Sequence, residues 1–205
     1  MGRDFIKNLS SKVPRNIEPF HIFLTGGGGV GKSHLLTTIY HSLSKLLMYR
    51  GGEPTKERIL VLAPTGVASI NVNGTTIHTG LIIPTTEFFS LSGSSKSNLQ
   101  KKLARVEVIM IDEISMVPNR LFRKTDQRLW DIFNVKKPFA GKSVLLCGDF
   151  YKLPPIYKDP IFKIPILKKD PNSNKKSKSR DNKNSWMKWM NLMDLNYRGV
   201  SKWLN

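Results

Sequence analysis

The 205 residues of this chain suffice for one domain, and the 40% that are hydrophobic exclude a chain too polar to bury a core. Lysine and arginine total 33 against 15 aspartate and glutamate residues, and the formal charge of +18 favours a polyanionic partner, either nucleic acid or a phospholipid surface. The single cysteine, Cys147, excludes an internal disulfide and favours a reducing compartment, while no apolar run approaches the roughly 20 residues that span a bilayer.

The N-terminal part of the chain is predicted to form a short helix at Phe5–Leu9, a proline-containing loop and then a buried strand at the apolar run Ile22–Leu24. This strand leads into TGGGGVGKS, which matches the pattern G-x-x-x-x-G-K-[ST] from Gly26 to Ser33. Because glycine lacks a Cβ, the four consecutive glycines allow backbone N–H groups to turn inward and cradle phosphate oxygens. The segment therefore predicts a phosphate-binding loop; the alternative is a glycine-rich turn that binds no ligand.

A helix is predicted directly after this loop, because leucine and isoleucine recur at helical spacing from Leu35 to Leu47. The positive end of its macrodipole should face the bound phosphates. Lys32 is predicted to reach the β- and γ-phosphates, and Ser33 to ligate magnesium. The predicted nucleotide-contacting residues are Gly26, Gly27, Gly28, Gly29, Val30, Gly31, Lys32, Ser33 and His34.

The next predicted strand, Ile59–Ala63, follows a turn and is itself followed by a segment rich in hydroxyl groups and small residues, Leu62–Leu81. Small residues allow a sugar-phosphate backbone to approach closely, and hydroxyl, backbone and imidazole groups can donate hydrogen bonds to its phosphates. The alternative is a polar loop with one ordinary histidine, which has no second histidine or cysteine nearby to make a metal site. The predicted DNA-contacting residues are Thr65, Gly66, Thr76 and His78.

Two further apolar runs, Val106–Ile111 and Val144–Cys147, predict buried strands that end in the acidic segments Asp112-Glu113 and Gly148-Asp149. Nearly continuous apolar strands separated by helical stretches are typical of a parallel α/β sheet covered by helices on both faces. Ligands of such folds gather beyond the carboxyl ends of the strands, so these segments should meet at one edge. Asp112 is predicted to hold magnesium through its water shell and Glu113 to accept a proton from the attacking water; the alternative is a surface acidic pair.

The remaining segments are more polar. Leu91–Gln100 is predicted to be a surface loop leading into a short helix, and Asn119–Phe133 has the spacing of a longer helix. Residues 1–166 are predicted to form one ATP-binding domain, 167–185 a basic disordered linker and 186–205 a short helical segment. The basic tract offers a second interpretation, because it could by itself bind DNA without sequence preference.

Taken together, LTGGGGVGKS, LAPTGVASINVNGTTIHTGL, IDEISMV and GDFYKLPPI resemble, in this order, the first four motifs of superfamily-one DNA helicases of the petite integration frequency (PIF) type. The resemblance implies a RecA-like P-loop NTPase domain that binds ATP and Mg²⁺ and grips single-stranded DNA, or a DNA junction, across the ends of its strands. It also implies ATP-dependent unwinding with 5′ to 3′ polarity, and roles in recombination, repair and telomere maintenance.

Two positions depart from the family pattern. Lys152 stands where the family has the glutamine that senses the γ-phosphate, and because an ammonium only donates hydrogen bonds, we expect slow hydrolysis. Arg198 matches the arginine of a later Arg-Gln pair and is the candidate arginine finger, although Gly199 replaces the glutamine.

The sequence also leads us to expect that the second RecA-like motor domain of the family is absent after Asn205, unless another chain supplies it. Loss of an arginine finger typically removes a factor of about 10³ to 10⁵ in rate, so we expect feeble hydrolysis and no processive unwinding by this chain alone. The main alternative is a degenerate ATP- or DNA-binding module from a helicase gene fragment or mobile element, and a kinase or signalling GTPase ranks last. The expected location is intracellular and nuclear, with mitochondria as the alternative.

Overall fold

The computed structural model describes residues 18–49, 57–86 and 90–149, and within these ranges the chain forms one parallel sheet of five strands. The strands are β1 (His21–Thr25), β2 (Ile59–Ala63), β3 (Thr75–Thr76), β4 (Val108–Ile111) and β5 (Ser143–Gly148). The helices are α1 (Lys32–Tyr49), α2 (Gly66–Asn71), α3 (Ile77–Gly80), α4 (Gly93–Leu103) and α5 (Asn119–Phe133). A 3₁₀ turn, Ile114–Met116, connects β4 to α5, and a turn at Pro138–Gly141 precedes β5.

The strand order is β1–β5–β4–β2–β3, so the chain crosses over two strands between β1 and β2. Every neighbouring pair is parallel, and the registers pair Leu24 with Cys147 and Ile111 with Leu146. Parallel strands direct all their carboxyl ends to one edge, which we call the carboxyl rim. This confirms the prediction of a parallel α/β sheet, in which the segments that follow the strands share one edge.

Both faces of the central strands are buried. Alternate residues along each strand belong to opposite faces. One set packs with α1 in a core cluster that includes Leu36, Leu47, Ile59, Val61, Val108, Met110, Leu145 and Cys147. The residues of the other set, Leu60, Leu62, Ile109, Ile111, Val144 and Leu146, are equally buried. Such strands read as continuous apolar runs because neither face meets water.

Predicted and observed elements agree over β1, β2, β5 and α5, with ends shifted by a residue or two in β1 and β5. The short helix predicted before β4 is present as α4, but the surface loop predicted at 91–100 was wrong, because α4 begins at Gly93 and buries Leu99 and Leu103. Strand β4 begins at Val108 rather than Val106, and β3, α2 and α3 were not predicted. The predicted helix at 5–9 and the boundaries at 166 and 185 lie outside the described residues, so they stay predictions.

Within the described ranges, no helix combines the length and apolar character that crossing a bilayer requires.

Candidate nucleotide and DNA sites

The phosphate-binding loop connects β1 to α1, as predicted. Gly29 and Gly31 adopt positive φ values of 75° and 86°, a conformation that glycine accepts without strain. Lys32 Nζ donates to the carbonyls of Gly26 at 2.8 Å and Gly27 at 2.6 Å. The lysine ammonium therefore lies against the loop that would hold the phosphates, and the loop residues from Gly27 to Gly31, including Val30, are exposed.

Helix α1 begins at Lys32, where the loop ends. The first backbone N–H groups of a helix have no partner within the helix and carry a partial positive charge, so they suit an anion. Ser33 is half-buried and His34 is exposed at this end. The structure thus brings together all nine residues that the sequence predicted for nucleotide contact, from Gly26 to His34.

Asp112 joins the loop to the end of β4. Ser33 Oγ donates to Asp112 Oδ2 at 3.0 Å, although the two residues are 79 positions apart in the sequence. The other carboxylate oxygen, Oδ1, accepts from Glu113 N at 2.8 Å, and the Asp112 side chain is 97% buried, with a relative exposure of 3%. Both oxygens are therefore held in place by hydrogen bonds.

Glu113 lies next to this carboxylate in a left-handed conformation, with φ 47° and ψ 45°. For a residue with a Cβ this conformation typically costs about 1–2 kcal/mol. Strained residues of this kind often occur at functional sites, where the surrounding structure holds them. Here the hydrogen bond to Asp112 and the 3₁₀ turn that follows hold the backbone of the candidate base.

Cys147 of β5 lies beside Asp112, because the register that pairs Ile111 with Leu146 places the next residues opposite each other. The thiol is fully buried. Burial raises the pKa of Cys147 to about 12, with further contributions from the charge of Asp112 and a hydrogen bond to it, and the charge of Lys32 acts in the opposite direction. A buried thiol with a raised pKa is typical of a structural cysteine rather than a reactive one.

Gly148 brings the end of β5 against the segment that follows Glu113. A Cβ at this position would lie 2.7 Å from Ile114 Cγ2, a distance that real Cβ atoms essentially never show, and 3.1 Å from Ile114 N, which is tighter than most real Cβ contacts. In the sequence Gly148 stands out only as part of a motif, and nothing local indicates this packing role. Asp149 follows as a buried residue on the same rim. The candidate residues Lys152 and Arg198 lie outside the described residues.

Ser33 and Asp112 are the residues that fit a magnesium ion. Their side chains offer a hydroxyl and a carboxylate oxygen 3.0 Å apart, and Mg²⁺ prefers oxygen ligands and is commonly bound through one or two carboxylates together with substrate phosphates. In the part of the chain that the structure describes, no group of three or more histidine, cysteine, aspartate or glutamate side chains could hold a metal by itself. Phosphate oxygens of a bound nucleotide and water molecules would supply the remaining ligands.

The predicted DNA-contacting residues lie at the other end of the carboxyl rim, beyond β2 and β3. Thr65 is the N-cap of α2, where its Oγ1 accepts from Ala68 N at 3.2 Å, and Gly66 is the first residue of that helix. Thr76 is the N-cap of α3, where its Oγ1 accepts from Thr79 N at 3.1 Å. The two threonines therefore organise short helices whose first N–H groups face the rim.

His78 lies in α3, and its Nδ1 is 2.8 Å from the carbonyl oxygen of Ile83. A carbonyl only accepts hydrogen bonds, so Nδ1 must be the donor, and this bond fixes the orientation of the ring. The structure thus places Thr76 and His78 at the N-cap and in the single turn of α3, and Thr65 and Gly66 at the N-cap and first residue of α2. Whether these four residues contact DNA stays a prediction.

A scan against family models matches residues 5–196 to the PIF1-like helicase family. Among curated proteins, the ATP-dependent DNA helicase RRM3 of Saccharomyces cerevisiae is 35% identical over 162 residues, which cover 77% of this chain and 21% of that protein. The chain therefore spans about a fifth of this relative.

Solved structures of Pif1 helicases are also similar to this chain. A Bacteroides Pif1 bound to single-stranded DNA is 26% identical with a TM-score of 0.55, over 77% of this chain and 34% of that one. The Bacteroides Pif1 helicase in complex with ADP-AlF₃ and single-stranded DNA covers the same shares, with 26% identity and a TM-score of 0.53. The motif order, the parallel sheet and the Ser33–Asp112 contact agree with these similarities, and the chain belongs to the PIF1-like helicase family.

Proposed function

We propose that this chain is the ATP-binding, RecA-like first motor domain of an ATP-dependent DNA helicase. The observation that carries the proposal is the hydrogen bond of 3.0 Å between Ser33 Oγ and Asp112 Oδ2. It joins a phosphate-binding loop at the end of one strand to a carboxylate at the end of another, as nucleotide hydrolysis requires. The complex of the related Bacteroides helicase with ADP-AlF₃ and single-stranded DNA supports both ligands.

The residues of the nucleotide end have distinct tasks in this proposal. The glycine loop and the start of α1 bind the phosphates through backbone N–H groups, while Lys32 offsets the charge of the β- and γ-phosphates. Ser33 and Asp112 hold Mg²⁺, which when bound supplies positive charge to the phosphates. Glu113 orients the attacking water and accepts its proton.

DNA is proposed to bind beyond β2 and β3, where the hydroxyl groups of Thr65 and Thr76, the backbone of Gly66 and the ring of His78 meet the sugar-phosphate backbone. Phosphate contacts of this kind position a strand without reading its sequence. The formal charge of +18 would strengthen such binding at low salt. The family resemblance extends the proposal to unwinding with 5′ to 3′ polarity, to roles in recombination, repair and telomere maintenance, and to a nuclear location.

The 205-residue polypeptide by itself is proposed to bind ATP and Mg²⁺ but to hydrolyse ATP slowly. It covers 34% of the solved Bacteroides helicase that it resembles, so in isolation it presents only part of such a motor. A second motor domain, in the same or another chain, would complete the nucleotide site. Removing an arginine finger alone typically lowers the rate by about 10³ to 10⁵.

The test is a titration of the purified polypeptide with a fluorescent ATP analogue and Mg²⁺, followed by ATP hydrolysis with and without oligothymidylate. We expect Lys32→Ala to weaken nucleotide affinity about 10- to 100-fold, which corresponds to the loss of a hydrogen bond to a charged group. Lys45→Ala, which removes an exposed lysine from the same helix, is the control. Equal affinities of the wild type and Lys32→Ala would contradict the nucleotide site.

A second measurement concerns Lys152. Single-turnover hydrolysis by Lys152→Gln should be faster than by the wild type, because an amide can both donate to the γ-phosphate and accept from the water. If the rates are equal, lysine at this position is not what slows the chain. Brisk DNA-stimulated turnover by the wild type would show that the polypeptide does not need a second motor domain.

A further inference from the structure

Two cationic side chains that are buried on α5 hold the segment that follows His78. Arg128 has a relative exposure of 0% and donates from Nη2 to the carbonyl of Ile82 at 3.1 Å. One turn earlier, Lys124 has a relative exposure of 7% and donates from Nζ to the carbonyls of Thr86 at 2.7 Å and Pro84 at 3.4 Å. Lysine and arginine are almost never fully buried unless they are paired, and these carbonyl contacts, with the ion pair of Arg128 and Asp131, supply the partners here.

The same helix also holds the chain farther on, through Asp131. Its carboxylate accepts from Leu91 N at 2.9 Å, from Lys96 Nζ at 3.0 Å and from Arg128 Nη1 at 3.2 Å. Burial alone would raise the pKa of Asp131, but the hydrogen bonds from Lys96 and Leu91 and the charges of Lys96 and Arg128 hold it below its ordinary value. Helix α5 therefore holds the chain at Ile82 on one side and at Leu91 on the other.

The conformation that Arg128 holds is strained. Ile82 has a φ of +50°, which is a genuine outlier for a β-branched residue. Its side chain is 42% exposed, so apolar burial does not account for this conformation. Ile82 N donates to the carbonyl of Thr79 at 3.4 Å and Ile83 N to that of His78 at 3.0 Å, so this conformation closes the end of α3. The hydrogen bond from Arg128 to the Ile82 carbonyl adds a tertiary contact that holds this closed end against α5.

This strained residue is directly connected to the candidate DNA-contacting helix. Ile83 N donates to the carbonyl of His78 at 3.0 Å, and His78 Nδ1 donates to the carbonyl of Ile83 at 2.8 Å. A change in the backbone at Ile82 would therefore move both the end of α3 and the ring of His78.

We propose that Lys124 and Arg128 are positioning residues that set the geometry of the DNA-contacting segment around Thr76 and His78. The inference rests on the proposed function, in which this segment meets single-stranded DNA. Neither cation contacts DNA itself, because Arg128 is fully buried and the Nζ of Lys124 is bonded to loop carbonyls. Both cations donate their hydrogen bonds within the protein, so they affect DNA binding indirectly, by holding the backbone of the segment that would contact DNA.

The test uses the 205-residue polypeptide and four variants. Lys124→Met and Arg128→Met keep much of the apolar stem and lose the donors, while Arg128→Lys keeps one charged donor group. Arg120→Met is the matched control, because it removes an exposed positive charge from the same helix. Affinity for fluorescent oligothymidylate is measured at several salt concentrations, and affinity for a fluorescent ATP analogue is measured in parallel.

We expect Lys124→Met and Arg128→Met to weaken DNA binding about tenfold, equivalent to roughly 1.4 kcal/mol, and Arg128→Lys to restore part of it. Nucleotide affinity should stay within about twofold of the wild type, a change of less than roughly 0.5 kcal/mol. The salt dependence should also be unchanged, because a buried cation releases no counterion, whereas removing a phosphate-contacting cation lowers the slope by about one. Arg120→Met should change DNA affinity less than either buried substitution.

Wild-type DNA affinity in Lys124→Met, a lowered salt slope in that variant, or an equal loss of nucleotide and DNA affinity would each overturn the proposal. If Arg128→Met does not fold, Lys124→Met remains decisive through amide hydrogen exchange, which should accelerate at Ile83 N and not in α1. If the wild type binds no single-stranded DNA, the proposed function fails, and the exchange rate at Ile83 still tests the positioning role by itself.

Discussion

The two ends of the carboxyl rim are built in different ways. At the nucleotide end, beyond β1 and β4, the candidate groups meet each other directly, as in the contact between Ser33 and Asp112. At the DNA end, beyond β2 and β3, the candidate hydroxyl groups of Thr65 and Thr76 cap their own helices, and His78 is bonded to the loop that follows it.

At the nucleotide end, ligand binding and fold stability depend largely on different groups. At the DNA end, the same side chains serve both. A side chain at the nucleotide end can be replaced while the sheet and α1 still hold most of the backbone around it. A threonine of the DNA end helps to fix the backbone conformation that would present phosphate-binding groups. We therefore expect substitutions at the first end to affect ligand binding more than folding, and those at the second to affect both.

The largest effect is expected from Asp112→Asn. The carboxylate accepts from Ser33 Oγ with one oxygen and from Glu113 N with the other. In Asp112→Asn the NH₂ group would face one of these donors and could not accept its hydrogen bond. Loss of a group that holds a metal through its water shell typically weakens metal affinity about 10- to 100-fold. The measurement is the Mg²⁺ concentration needed for binding of a fluorescent ATP analogue.

The control for Asp112→Asn is Glu57→Gln, which neutralises an exposed carboxylate just before β2. An unchanged Mg²⁺ requirement in Asp112→Asn would remove Asp112 from the proposed site. A shift of similar size in the control would indicate a general effect of charge.

A smaller effect that involves both properties is expected from Thr76→Val. The substitution removes the hydroxyl that accepts from Thr79 N, and loss of an N-cap typically lowers the free energy of unfolding by about 1 kcal/mol. Affinity for oligothymidylate should fall several-fold in the same variant. Thr76→Ser keeps the hydroxyl and should stay close to the wild type in urea unfolding and in DNA titration. If Thr76→Val lost stability and kept its DNA affinity, the coupling between capping and DNA binding would be wrong.

The nucleotide end was predictable because its information is local and periodic. The loop from Gly26 to Ser33, the apolar run before it and the leucines after it are consecutive in the sequence, and the strands that carry Asp112 and Gly148 are buried on both faces. Parallel pairing then brings their carboxyl ends to one edge without further information.

At the DNA end, the sequence indicated the polar segment but not the helices that it forms, and its contact with DNA stays a prediction. Helices α2 and α3 have six and four residues, too few for a hydrophobic period to appear, and both depend on threonine caps that also suit a turn. Lys124 and Arg128 occupy a helix with charged residues on several sides, so nothing local distinguishes them from solvent-exposed cations. Their acceptors lie 38 and 46 positions earlier in the chain, and only the folded structure reveals them.

The smallest effect on ligand binding is expected at Asp126, on the part of α5 that faces the turn before β5 rather than either end of the rim. Its Oδ1 accepts from Phe139 N at 2.7 Å, and burial raises the pKa of this carboxyl from 3.8 to about 7, against the opposing hydrogen bonds from Phe139 and Trp130. A folded-state pKa above the unfolded value contributes stability that is fully present below pH 3.8 and is lost as the pH rises through about 7. Asp126→Asn keeps an acceptor without a charge. In urea unfolding, its free energy of unfolding relative to that of the wild type should therefore rise between pH 5 and pH 8, while nucleotide and DNA affinities stay unchanged.

Asp131→Asn is the opposite control, because the pKa of Asp131 is lowered and loss of this carboxylate should destabilise the protein at both pH values. Parallel stability curves for the wild type and Asp126→Asn would show that this carboxyl is already ionised in the folded protein below neutral pH.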